Sequence, residues 1–518
     1  LSAAAFLIRD AAVAGKNIHI LEERRLLGGA IEAFDGDANA KGDGASKVYW
    51  SMPGPWLSRR GSTALWDLLA DIPTLDDSGP NVRDAIKRFN EDKPIEASAR
   101  LIDANHQILD ATRLGLSTRD RAELLRLMSM SERKIGALRV EDVFSQHLLD
   151  STFWCLWQTT FGFTNWHSAA ELRRSLLRFF HEVPGLATLS EFYRPALSLH
   201  DSIIRPLKAW LRDRGVVTEV GVPVIDAELT GDESKRHVQR LFVEREGQRE
   251  VIEIGKDDYV LITLGSMMSD ASLGTNDKAP QIIRDRRDQS WSLWENLARK
   301  SADFGRPSTF RGNVDQSMGE IFTLTMRTPV LLERIARFTG SATGAGGLIT
   351  FRDSGWRMSL TVPHQPHFVG EPDALSTLSC QGLFLDANGD YVHKRMSDCT
   401  GLELLQELLG QFGFTDLFGE LESQTEVASM ILPYLSAPLQ RRTPGERPPI
   451  LPRGAQNFAF MGQFVELEND AAATIEYAVR TAMMAVYGLF DIQRAIPAIY
   501  KGTSNLKVAW SAVRDTFD

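Results

Sequence analysis

A chain of 518 residues, 43% hydrophobic and 24% charged, is too long for one core and too balanced for a disordered one, so two or three domains are expected. Its net charge of −10 argues against a general nucleic-acid binder, which needs a basic surface. No apolar run approaches the roughly 18 residues of a membrane span. The scattered Cys155, Cys380 and Cys399 form no C-x-x-C, which excludes a cysteine-built zinc site and suits a reducing, cytoplasmic setting.

The chain opens in a small-residue helix over 1–10, followed by a short apolar strand, Asn17-Ile18-His19-Ile20-Leu21-Glu22-Glu23, that ends in two carboxylates. In a dinucleotide-binding βαβ unit the acid at the tip of the second strand bonds ribose hydroxyls, which assigns Glu22. The first strand and its G-x-G-x-x-G turn are then expected just before Leu1. Gly28-Gly29 reads as a second glycine turn, and Gly42-Asp43-Gly44 as a polar loop.

Apolar residues at helical spacing predict helices over 119–130, 169–181 and 203–211. The strand Val222-Pro223-Val224-Ile225 would give adenine a backbone contact, notably at Val224. The apolar run 258–266 ends in Gly265-Ser266, where a glycine lets backbone approach a dinucleotide. Helices over 291–302 and 329–338 precede strands over 347–351 and 356–362, and the Pro- and Arg-rich stretch 438–452 reads as a linker.

Segment 458–482 is the most informative. A strand, Phe458-Ala459-Phe460-Met461-Gly462, leads through Gln463-Phe464-Val465-Glu466 to an Ala-rich helix opening near Thr474. Strand, glycine, loop and helix N-terminus is how flavoproteins of two dinucleotide folds bring backbone N–H groups to a flavin. The pieces in this order predict an α/β protein with an FAD-binding Rossmann domain. That domain is discontinuous, over 1–50, 200–275 and 445–490. It is interrupted by a helical insertion or lid, 51–200, and a mixed α+β substrate domain, 276–444, and is followed by a C-terminal helical segment, 491–518. Cofactor contacts are expected at Glu22, Gly28, Gly29, Val224, Gly265, Ser266, Asn457, Phe458, Gly462 and Gln463. No metal is expected.

Motifs dispersed over nearly the whole chain resemble the oleate hydratase family, the FAD-containing fatty-acid hydratases once called myosin-cross-reactive antigens. They include Trp157-Gln158-Thr159-Thr160-Phe161, Trp166-His167-Ser168-Ala169-Ala170-Glu171, Asp201-Ser202-Ile203-Ile204-Arg205-Pro206 and Gly346-Gly347-Leu348-Ile349-Thr350-Phe351. His364-Gln365-Pro366-His367-Phe368 and 457–466 extend the match. The resemblance implies a glutathione-reductase-like FAD domain, a long channel for a fatty acyl chain, and hydration of a cis double bond without net redox change. Hydrating an isolated alkene needs an acid for one carbon and a base to activate water for the other. The family's usual candidates are a Glu in an Arg-Gly-Gly-Arg-Glu loop and a Tyr after the Trp-His-Ser-Ala motif. Here the loop reads Pro53-Gly54-Pro55-Trp56-Leu57, so the Glu falls on Leu57, and the Tyr falls on Ser175. A family Gln falls on Leu199. His200, Arg59, His167 and Asp201 are the nearby polar candidates for the missing proton donor, with His167 and Asp201 read as structural. Of the family's head-group stretch, Thr361 and His367 are kept and Pro363 replaces an Asn. Trp154, Trp157, Phe161 and Phe163 read as core, and Arg173-Arg174 as a solvated or phosphate-facing pair.

The expected partner is a long apolar small molecule. A homodimer and a peripheral membrane contact stay open. The favoured function is an FAD-dependent hydro-lyase or isomerase that does not perform ordinary oleate hydration. The alternatives are a non-catalytic lipid- or flavin-binding relative and a flavin redox enzyme.

Overall fold

The computed structural model describes residues 1–31, 33–37, 47–54, 56–76, 78–96, 98–284, 289–345 and 347–502. The expected glycine loop at 42–44, Pro55, Gly346 and the tail from 503 lie outside the described residues.

Parallel strand pairs form the first body, a parallel-strand core. His19–Glu22 lies beside Val217–Val220, with Glu22 opposite Val220. Val260–Thr263 lies beside Phe458–Met461. Parallel pairs need both faces covered. Cover comes from the helices Ser2–Arg9, Arg205–Arg212 and Ile475–Leu489, which bury Phe6, Leu207, Trp210, Val479 and Met483 in one cluster. Ala3, Ala4 and Ala5 are all buried, so small side chains let the first helix pack closely. The last helix begins where the sequence reading places it: the Thr474 hydroxyl accepts the N–H of Tyr477 at 3.1 Å.

Residues 224–253 form a three-stranded antiparallel meander, of which only the first strand is anticipated. Its strands are Val224–Asp232, Lys235–Arg245 and Gln248–Glu253. The first begins at Val224, two residues later than expected.

An eight-stranded sheet forms the second body. Its centre is Gly319–Met326, flanked by Thr425–Leu432 and Ser376–Gly382, and every residue of the central strand is buried. The sheet also takes Ser272–Gly274 from one side and Leu101–Ile102 with Ile108–Leu109 from the other. Segment 51–200 therefore contributes strands as well as helices, and Leu101–Ile102 pairs parallel with Leu348–Phe351. The hairpin Ala33–Asp37 with Lys47–Ser51 is fastened to the sheet, Tyr49 N–H donating to Thr325 Oγ1 at 3.2 Å.

The helices Thr118–Ser129, Thr152–Phe161 and Ala169–Phe179 belong to the same insertion, as do Thr63–Leu69 and Val82–Asp92. Each of the first three starts at a serine (Ser117, Ser151, Ser168) whose hydroxyl accepts an N–H of the first turn. Trp154 and Trp157 sit in their core, as the sequence reading has it. Arg174 departs from expectation: it is 2% exposed and ion-paired to Glu132 and Glu466 at 2.6 and 2.7 Å, not solvated. The tail also differs, since 491–502 follows the last helix without helical structure. Among the described residues no helix is long and apolar enough to cross a membrane.

Candidate functional site

One cavity of about 1530 Å³ runs between the parallel-strand core, the helical insertion and the large sheet. That exceeds the roughly 300–1,000 Å³ of a site for one drug-sized ligand.

Its wall takes in most of the expected cofactor residues. Glu22, Gly28, Gly29, Val224, Gly265, Ser266, Gly462 and Gln463 all line it. Glu22 closes its strand, and its Oε1 accepts the N–H of Arg24 at 2.9 Å. Burial pushes this carboxyl up against the pull of Arg24. Gly29 has φ +58°, and a Cβ there would meet open space, so what its conformation demands is the absence of a side chain, not room. Gly265 is constrained twice: φ is +62°, and a Cβ would lie 2.9 Å from the rings of Phe464 and Trp291. Ala473, Thr474 and Ile475 bring the first turn of the last helix to the same wall. An acid at a strand tip, glycine backbone and a helix N-terminus are the donor and acceptor set that a ribose and pyrophosphate require. The residues present therefore fit a dinucleotide.

Asn457 and Phe458 are not brought to this wall. The Asn457 amide clamps strands instead, accepting from Val238 N–H at 2.9 Å and donating to the Val238 and Asp258 carbonyls at 3.0 and 3.2 Å. Phe458 is fully buried in the core beneath. The Gly462 N–H is also engaged, by Thr481 Oγ1 at 3.0 Å.

Part of the wall is apolar. Leu57, Leu199, Phe161, Phe163 and Phe192 line it, and so does Ser175. The two phenylalanines of the expected core cluster thus face the cavity while its tryptophans do not. Leu57 is 2% exposed on the short strand Leu57–Ser58, opposite Tyr193. Ser175, 2% exposed, lies on the helix Ala169–Phe179.

The nearby polar candidates separate. His167 is on the wall, but burial drops its pKa to about 3 and keeps it neutral. Its Nδ1 accepts the Thr164 N–H at 2.9 Å, which leaves Nε2 to donate to Ser436 Oγ at 3.0 Å. His200, Arg59 and Asp201 are off the wall. His200 Nδ1 lies 3.7 Å from Asp201, and the Arg59 guanidinium sits 5.5 Å from the centre of the Tyr193 ring. Asp201 accepts from Ser198 Oγ and Val369 N–H, both at 3.1 Å. Thr361 and His367 are likewise not on the wall. Thr361 is buried in the large sheet, and His367 Nε2 lies 3.4 Å from Ser51 Oγ.

Along the helix Ala169–Phe179, whose Glu171 and Arg178 also line the cavity, sequence reasoning missed a buried charge network. Glu171 accepts from Arg442 Nε and Arg447 at 2.5 and 2.8 Å. Alongside it, the Arg178 Nε donates to Asp470 at 2.8 Å. The arginines of stretch 438–452, read as linker composition, were the available signal.

Comparison with known proteins decides the family. The MCRA family model matches residues 1–487. The chain belongs to the MCRA family. Among its relatives is the oleate hydratase of Streptococcus pyogenes serotype M49 (strain NZ131), 31% identical, the match covering 98% of this chain and 86% of that one. The linoleate hydratase of Lactiplantibacillus plantarum is 28% identical, over 94% of this chain and 91% of its own length. Among solved structures, an oxidoreductase from Methanosarcina mazei aligns with a TM-score of 0.48 at 12% identity, covering 94% of this chain and 97% of that one. The family assignment agrees with the resemblance carried by the dispersed motifs.

Proposed function

We propose that this MCRA-family protein binds FAD at the Glu22 part of its cavity. Next to it, the protein acts on an alkene of a long-chain or bulky apolar substrate, by hydration, dehydration or isomerisation without net redox change. The observation that carries this reading is that one cavity joins the Glu22, Gly29 and Gly265 set to the apolar wall of Leu57, Leu199 and Phe192. Bound there, FAD would supply a planar, polarisable surface that orders the reacting end. Glu22 would hold the ribose, backbone at Gly28, Gly29 and Gly265 would approach the phosphates, and the apolar wall would exclude bulk water.

Ordinary oleate hydration is not the expected reaction. An aliphatic side chain transfers no proton, and a serine hydroxyl is a far poorer acid than a carboxyl group or a phenol. Leu57 and Ser175 stand where the family's Glu and Tyr are expected. A head-group anchor at Thr361 and His367 is not part of this reading: Thr361 Oγ1 and His367 Nδ1 are each buried without a hydrogen-bond partner among the described residues, but neither residue lines the cavity.

The same substitutions favour a second reading, a non-catalytic relative that keeps the scaffold and its ligands. Native mass spectrometry of the purified full-length protein tests ligand binding. The expected mass includes FAD together with an apolar small molecule. A bare protein that also takes up no added FAD overturns both readings. Product formation from a panel of unsaturated fatty acids and isoprenoids separates the first from the second.

A further inference from the structure

Ser58 follows Leu57 on the strand that faces the apolar part of the cavity, and it too lines the wall. Its Oγ accepts the Gly61 N–H at 2.9 Å and lies 2.7 Å from Glu182 Oε1. Glu182 is 1% exposed, and its second oxygen is buried with no hydrogen-bond partner among the described residues. His181 Nε2 lies 3.0 Å from Oε1, and Tyr500 closes over the imidazole at 4.5 Å between ring centres. The arginines of this corner have other partners: Arg178 Nε donates to Asp470 at 2.8 Å, and Arg60 Nε lies 3.8 Å from Glu191. A carboxyl group that is withdrawn from water and half satisfied is expensive as a structural part. This one communicates with the ligand cavity through one hydroxyl.

We propose that Ser58 and Glu182 form a proton relay serving the cavity in place of the groups absent at positions 57 and 175. Ser58 is the catalytic residue, and Glu182 is a positioning residue that stores the proton and acts through it. The inference rests on the alkene chemistry proposed above.

The hydroxyl geometry allows two states. An oxygen with two lone pairs and one hydrogen can accept from both Gly61 N–H and a protonated Glu182, which turns its own hydrogen to the cavity. When Glu182 is ionised, the Ser58 hydrogen turns back to it. In hydration, the Ser58 proton bonds one alkene carbon through the π pair while the Glu182 proton moves to Ser58 Oγ. A water lone pair bonds the other carbon. The proton shed by that water returns through Ser58 to Glu182. One H and one OH are added, nothing is oxidised or reduced, and the relay is restored. Isomerisation uses the same path, the returning proton coming from a neighbouring carbon.

The full chain reconstituted with FAD is incubated with oleate, linoleate, their methyl esters and farnesol in deuterium oxide, and products are read by gas chromatography–mass spectrometry. The best substrate is then used for Ser58→Ala, Ser58→Thr, Glu182→Gln and the double variant of Ser58→Ala with Glu182→Gln, with folding checked by FAD titration and Tm. Ser58→Ala and Glu182→Gln should each lower kcat by about 100-fold or more, with KM changed less than about threefold. The double variant should be no worse than the poorer single one, because both remove the same path. Ser58→Thr, which keeps the hydroxyl, should retain most activity. If Glu182→Gln does not fold, the contrast between Ser58→Ala and Ser58→Thr still decides. Parent-like kcat in Ser58→Ala overturns the relay and leaves the proposed function standing. A parent that converts no member of the panel overturns both.

Discussion

The Glu171 carboxylate accepts a hydrogen bond from Arg442 Nε at 2.5 Å across 271 residues of sequence. The pair joins the helix that carries Ser175 to the stretch leading into the Phe458–Met461 strand, so it ties the insertion to the parallel-strand core. Burial alone would push Glu171 up. Arg442, Arg447 and Arg174 outweigh it and hold the carboxyl at about 2. Glu171→Ala leaves buried guanidinium groups uncompensated and should cost about 3–5 kcal/mol, read as a shift of the urea midpoint. Because the folded pKa is depressed, this contribution is present above about 4.5 and lost as pH falls toward about 2. An acid-unfolding limb identical in parent and Glu171→Gln below pH about 4.5 would refute the assignment.

His167 titrates in a different window. Burial lowers it to about 3 and His367 to about 4, while an unfolded histidine titrates near 6.5. Below about 6.5 the unfolded chain binds protons that the folded chain refuses, so stability falls as pH drops from about 6.5 toward 3 to 4. Each pKa unit corresponds to about 1.36 kcal/mol, so the effect is large. His167→Gln should be less stable than the parent at pH about 8, yet lose stability less steeply between pH about 6.5 and 5, as measured by Tm against pH.

What the sequence made legible was local. The strand ending at Glu22, the glycine after Leu264 and the helix opening at Thr474 each carry their signal within a few residues, and all three reach one cavity. The meander over 235–253 carried a usable signal as well: apolar Val238, Leu241 and Val243 lead into a turn at Glu246-Gly247, between antiparallel partners. Asn457 shows the limit of a local signal: a polar residue before a buried strand suits a ligand and a backbone clamp equally, and its side chain is held by backbone groups of Val238 and Asp258 away from the cavity wall. The Ser58–Glu182 contact spans 124 residues with no pattern to announce it. Ser58 sits on the two-residue strand Leu57–Ser58 and Glu182 on the short helix Phe180–Gly185, elements too brief to read from composition.

Glu22 provides a direct check on the cofactor reading. FAD added to the full-length protein should bind saturably below about 100 µM, equivalent to roughly −5.5 kcal/mol, as followed by quenching of flavin fluorescence. Glu22→Ala should weaken it by about 1–3 kcal/mol, since ribose hydroxyls at the strand tip lose their acceptor. Unchanged affinity in the variant would place the dinucleotide elsewhere.

Oleate should be a poor substrate. Under the proposed function, Leu57 and Ser175 stand where a carboxylate and a phenol are expected, on the wall where water and alkene would meet. Loss of one general acid or base typically costs about 100- to 10,000-fold. Leu57 and Leu199 also make this part of the cavity more favourable to hydrocarbon and less to water, each buried CH₂ contributing about 0.8 kcal/mol. Binding should therefore survive better than turnover, and a calorimetric titration should detect oleate at concentrations where 10-hydroxystearate accumulates slowly or not at all. The comparison is made with FAD and reductant present, alongside an ordinary hydratase of the family, with product quantified by gas chromatography. Restoring Ser175→Tyr and Leu57→Glu together should raise oleate turnover above that of the parent. Turnover by the unaltered protein equal to that of the ordinary hydratase would mean that the residues at 57 and 175 do not limit proton transfer to this alkene.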